Sequence, residues 1–64
     1  MLKINGQPVP ATGETLLHYL TACNYDLQRL AVERNGEIVP KHSYGTTVLC
    51  DGDQVEIVSF VGGG

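Results

Sequence analysis

The segment Asp51-Gly52-Asp53-Gln54-Val55-Glu56-Ile57-Val58-Ser59-Phe60 decides how this chain folds. Asp-Gly-Asp forces a turn. From Gln54 onward the side chains alternate, with Val55, Ile57 and Ser59 on one face and Glu56, Val58 and Phe60 on the other. Apolar residues on both faces suit a central strand, the last and longest of the sheet. Its neighbours are then the extended stretches at residues 2–5 and 30–34. Pro8, Pro10 and Pro40 lack the N–H that a central strand must donate, so the segments carrying them belong at the edges.

Working outward, Leu2-Lys3-Ile4 leads into Asn5-Gly6 and then Gln7-Pro8-Val9, a hairpin signal built on two residues that tolerate positive φ. The same pattern returns at residues 30–34, Asn35-Gly36 and Glu37-Ile38-Val39, and we read the echo as independent selection of turn chemistry. Between the hairpins, Leu16, Leu17, Leu20 and Cys23 share one helical face, which predicts a helix over residues 15–23. Thr12 or Thr15 is its N-cap, Glu14 sits near the positive end of the dipole, and Asn24 is a left-handed stop. Leu27 and Leu30 mark a short tight turn back to the sheet. Residues 41–45 read as a polar loop and 46–50 as a short extended or turn-like piece. The Leu face packs on Ile4, Val32, Val55 and Ile57. This is an α+β chain, a mixed sheet of four to five strands with one packed helix, in the β-grasp arrangement.

With 64 residues, 42% of them hydrophobic and 17% charged, the chain is one small domain. A chain this size buries only about 60% of its unfolded surface, so its core is thin and a deep catalytic pocket is not expected. Function belongs on the surface or at a terminus. The net charge is -3, and Lys3, Arg29, Arg34 and Lys41 are scattered. Without a basic patch, nucleic-acid binding is not expected, whereas a partner with a basic surface is. No apolar run approaches a membrane span and the start lacks a secretion signal, so a cytoplasmic protein with no membrane role is expected.

Candidate chemistry concentrates at the end. Val61-Gly62-Gly63-Gly64 follows the last strand directly. Glycines in a row weaken any packed element, so residues 1–61 are expected to form the domain and residues 62–64 a flexible tail. Four extended residues reach roughly 13 to 14 Å, enough to thread a terminal carboxylate into a partner's narrow active site. Val58 and Phe60 lie on the strand face that the helix leaves uncovered, an apolar strip where a partner would grip. Other groups carry less. Cys23 on the Leu face reads as a buried, inert thiol, and Cys50 beside Asp51 as partly exposed, unreactive and disfavoured as a nucleophile. The two cysteines give no dense disulfide framework. His18 and His42 complete no metal-ligand pair with them, so no metal is expected. His18, Asp26 and Glu56 read as surface residues, and Asp51 and Asp53 as turn formers.

End to end, the chain resembles the ThiS family, the ubiquitin-like β-grasp sulfur carriers of bacterial thiamine biosynthesis. The resemblance rests on Val32-Glu33-Arg34-Asn35-Gly36-Glu37-Ile38-Val39-Pro40, on Asp51-Gly52-Asp53-Gln54-Val55-Glu56-Ile57-Val58, and on Phe60-Val61-Gly62-Gly63-Gly64. Lys41 and Tyr44 stand where the family often has Arg and Trp, at positions read as peripheral. The resemblance implies a carrier and co-substrate, not an enzyme. The Gly64 carboxylate would become a glycyl adenylate in a ThiF-like adenylating enzyme, then a 1-thioglycine, and would donate sulfur to a ThiG-like thiazole synthase. Gly62, Gly63, Val61, Phe60 and Val58 would bind the partners. ATP and Mg²⁺ would belong to the adenylating enzyme, this chain binding no cofactor, and a cysteine desulfurase or other donor would supply the sulfur.

Two related outcomes stay open on the residues alone: the small subunit of molybdopterin synthase and a ubiquitin-like modifier. From another class, a regulatory β-grasp binding module would need no reactive terminus. A ferredoxin-like carrier would need four cysteines, and this chain has two.

Overall fold

Asn-Gly at each hairpin sets the sheet. In the computed structural model, which describes residues 1–60, Asn5 and Gly6 have φ of 52° and 79°, and Asn35 and Gly36 have 52° and 85°. Positive φ at both central positions is the turn whose twist matches paired strands. The first turn joins β1 (Lys3–Ile4) to β2 (Gln7–Pro8), and the second joins β3 (Leu30–Arg34) to β4 (Glu37–Val39). The last strand, β5 (Gln54–Ser59), lies parallel to β1 and antiparallel to β3, giving the order β2-β1-β5-β3-β4. The central place of β5 and the edge places of the proline-bearing segments are those expected from the sequence.

Each turn asparagine also holds β5. Asn5 donates its N–H to the Val55 carbonyl at 2.8 Å, and its Oδ1 accepts from the Ile57 N–H at 2.7 Å. Asn35 repeats the device from the other side, donating its N–H to the Gln54 carbonyl at 2.8 Å and accepting the Gln54 N–H on Oδ1 at 2.9 Å. The echoed Asn-Gly pairs therefore share a purpose beyond turning the chain.

The helix α1 spans Leu16–Ala22. Thr15 is the N-cap, its Oγ1 accepting from the His18 N–H at 3.1 Å. The free N–H groups of Leu16 and Leu17, which no helical carbonyl can reach, donate to the carbonyls of Thr47 and Tyr44 at 2.8 and 3.0 Å. At the other end Asn24 has φ 62°. The Asn24 N–H donates to the Thr21 carbonyl and the Tyr25 N–H to the Leu20 carbonyl, which makes a Schellman stop.

Leu16 and Leu20 are buried with Leu2, Ile4, Leu30, Val32, Val55 and Ile57 in one cluster. Leu17 and Cys23, expected on the same face, are exposed. Tyr19, Tyr25 and Leu27 pack against that cluster around the helix's C-terminal end, and Cys23 is already the C-cap residue, so the thiol stays at the rim. A helix of seven residues is too short for an i, i+7 stripe to bury at both ends.

Residues 41–45 correct the expectation of a peripheral polar loop. Lys41–Ser43 form a 3-10 turn, and Tyr44 is 4% exposed, a member of the core beside Leu49 and Ala11. The intervening backbone ties down the helix entrance through the Leu16 and Leu17 bonds and an isolated bridge between Thr15 and Val48.

Asp53 is likewise more than a turn former. Its buried carboxylate accepts from Arg34 Nε at 2.9 Å, Asn35 Nδ2 at 3.1 Å and the Cys50 N–H at 3.0 Å. Burial acts to raise this carboxyl. The Cys50 amide, Asn35 and Arg34 outweigh it and hold the group below the usual carboxylate range. A carboxyl depressed in the folded state stabilises above its unfolded pKa, and that contribution is lost as pH falls through the folded value.

Two outcomes follow for stability. Asp53→Asn should cost about 2 kcal/mol at neutral pH in urea unfolding and should flatten the decline of wild-type stability below about pH 4. Asn5→Gly keeps the turn conformation but leaves the Ile57 N–H without its acceptor, so it should cost about 1 to 2 kcal/mol in the same measurement.

Candidate functional site

The site is built where β5 ends. Ser59 is in register with Leu30, and the Phe60 N–H donates to the Arg29 carbonyl at 2.7 Å. The chain is thus pinned to the turn Leu27–Arg29 up to Phe60, immediately before Val61. That turn is itself fixed by Asp26, whose carboxylate accepts from the Gln28 N–H at 3.0 Å. The sequence-predicted Val61, Gly62, Gly63 and Gly64, and with them the domain boundary at 61 and the flexible tail, lie outside the described residues.

Alternation along β5 buries Val55 and Ile57 and turns Val58 and Phe60 outward, 53% and 56% exposed. The strip expected on the uncovered face is present. Ala31 stands opposite Val58, and Ile38, 71% exposed on β4, stands opposite Glu33 on the same face. Ile38 was not singled out in the sequence. The signal was there, since the Arg34↔Glu37 register of an Asn-Gly hairpin places residue 38 beside residue 33.

Among the described residues, the other reactive groups do not assemble into a catalytic site. His18 is exposed, its Nδ1 2.9 Å from Glu14 Oε1. Cys50 is exposed, its Sγ accepting from Arg34 at 3.5 Å and donating to the Val48 carbonyl at 3.4 Å. Tyr19 is pushed up to about 12, by burial first and then by its hydrogen bond with Cys23, so it stays a neutral phenol. A shallow groove lined by Leu2, Pro8, Val9 and Pro10 has Asp51 at its rim, paired with the Met1 ammonium at 2.6 Å. Among the described residues, no three of His, Cys, Asp and Glu are grouped to hold a metal. Nor is any helix among them long and apolar enough to cross a membrane.

A five-stranded mixed sheet with one face packed on a helix, the other open, and its central strand running out beside an exposed apolar strip defines a ubiquitin-like β-grasp domain. The chain matches the ThiS family over residues 2–64 and belongs to it. It is 42% identical to the sulfur carrier protein ThiS of Bacillus subtilis, over the whole of both chains. It is also 48% identical to a thiazole synthase of Paramagnetospirillum magneticum, covering 98% of this chain and 20% of that protein. The chain thus spans about a fifth of the length of the thiazole synthases it matches. Among solved structures, the crystal structure of the thiamine biosynthesis protein ThiS from Geobacter metallireducens superposes with a TM-score of 0.78 at 33% identity, covering 98% of this chain and 97% of that one.

Exposure of the strip makes a direct prediction. Phe60→Asp should leave the unfolding free energy from urea titration within about 0.5 kcal/mol of wild type, whereas Ile57→Asp should abolish folding. Unfolding by Phe60→Asp would place that ring in the core.

Proposed function

We propose that this chain is a sulfur carrier of thiamine biosynthesis, loaded and unloaded at Gly64 by other proteins. The observation that supports it is the strand end. Backbone pairing fixes the chain through Phe60, and the sequence continues as Val61-Gly62-Gly63-Gly64, a side-chain-poor stretch whose fully extended length would be about 13 to 14 Å. The carrier names of the Bacillus and Thermus relatives support the same reading.

In the proposed cycle a carboxylate oxygen of Gly64 attacks the α-phosphate of ATP in an adenylating enzyme, and pyrophosphate leaves. ATP and Mg²⁺ belong to that enzyme. The terminal sulfur of a persulfide, held by a cysteine desulfurase or a related donor, then attacks the acyl carbon and AMP leaves. A second thiol reduces the resulting acyl disulfide, becoming oxidised to a disulfide itself, and frees the thiocarboxylate at Gly64. Thiazole synthase takes the sulfur. The domain contributes no catalytic group. It presents the tail, with Val58 and Phe60 as its grip and Val61, Gly62 and Gly63 lying in the partner's channel. Work with ATP and persulfides suits the reducing cytoplasm.

Incubation with ATP, a cognate adenylating enzyme and a persulfide donor should exchange one terminal oxygen for sulfur, read as the corresponding mass gain. Removing Gly64 should abolish the gain, and Phe60→Asp should slow it while the domain stays folded. An unchanged mass with partners that load another carrier would overturn the proposal.

A further inference from the structure

The open sheet face carries more than the apolar strip. Glu33 and Glu56 are directly opposite each other in the antiparallel β3–β5 ladder, and both are exposed. Like charges so placed sit about 5 Å apart at their Cβ atoms and destabilise the sheet. Neither carboxylate is ion-paired among the described residues. Lys3 is an exposed cation on this face, in register with Gln54, two residues short of Glu56 on β5, and among the described residues it makes no ion pair either. Arg34 is turned to Asp53, and Arg29 lies against Asp26. The repulsive pair is flanked by Ile38 on one side and by the Ala31–Val58 row on the other, with Phe60 beyond.

We propose that Glu33 and Glu56 together receive one arginine of the enzyme that loads the tail, seated in the apolar frame of Ile38, Val58 and Phe60. Two adjacent carboxylates present a spread of acceptors that suits the planar guanidinium fork and its five N–H donors better than a point-like ammonium. The apolar rim excludes water and strengthens the contact. Repulsion that the free domain bears is relieved on docking. The same pair disfavours two other occupants, a second copy of this chain and a nucleic acid, because each would bring further negative charge to it. This inference rests on the sulfur-carrier reading and names the charge chemistry of its first partner.

Steady-state loading by the adenylating enzyme, followed as pyrophosphate release, tests it with Glu33→Gln, Glu56→Gln and the double variant. Each single change should raise the KM for the carrier about tenfold with kcat within about twofold and should weaken the salt dependence of KM. The double variant should fall well short of the product of the two, since one arginine serves both. Urea midpoints should stay level or rise, an outcome opposite to that of a structural role. Unchanged KM values, multiplicative effects, or a midpoint that falls with the loading rate would overturn the inference. Failure of the wild-type chain to be loaded would instead remove the carrier reading, and this inference with it.

Discussion

The rest of the structure depends on how β5 is gripped. Its N-terminal half is bonded on one side to Asn5 and on the other to Asn35, each using a main-chain N–H and a side-chain oxygen at the apex of a tight turn. A parallel strand and an antiparallel strand are thereby locked to the same centre although each is only two to five residues long. Short strands alone would leave the register weakly specified, and a slip of one residue would turn Val55 and Ile57 to solvent. Acceptors placed at both turn apices remove that freedom.

From the fixed register comes the division of the sheet into two unlike faces. One face shares a core with α1, Tyr44 and Leu49. The other presents Val58, Phe60, Ile38 and the two opposed glutamates. A domain of 64 residues has one helix's worth of cover to give, so an exposed face is a consequence of size.

Side-chain anchoring is concentrated near the start of β5, and a backbone hydrogen bond closes its end. Asp53 gathers Arg34, Asn35 and the Cys50 amide one residue before the strand begins, and the Arg29 carbonyl holds Phe60 just after it finishes. The anchored strand therefore delivers residue 60 to a fixed place relative to the apolar strip.

Local chemistry made much of this legible in the sequence. Asn-Gly pairs need positive φ, prolines cannot sit in a central strand, Thr15 caps, Asn24 stops a helix, and strict alternation puts Val58 and Phe60 opposite Val55 and Ile57. These determined the hairpins, the helix, the strand order and the exposed strip, because each is fixed by residues within a few positions of one another. The burial of Tyr44, the exposure of Cys23 and Leu17, the carboxylate network of Asp53 and the facing of Glu33 by Glu56 were decided only by tertiary structure. Each depends on which distant segment arrives alongside. A polar-looking loop becomes core when it must satisfy a helix entrance, and two unremarkable surface acids more than twenty positions apart in sequence become a pair only when their strands are brought into register.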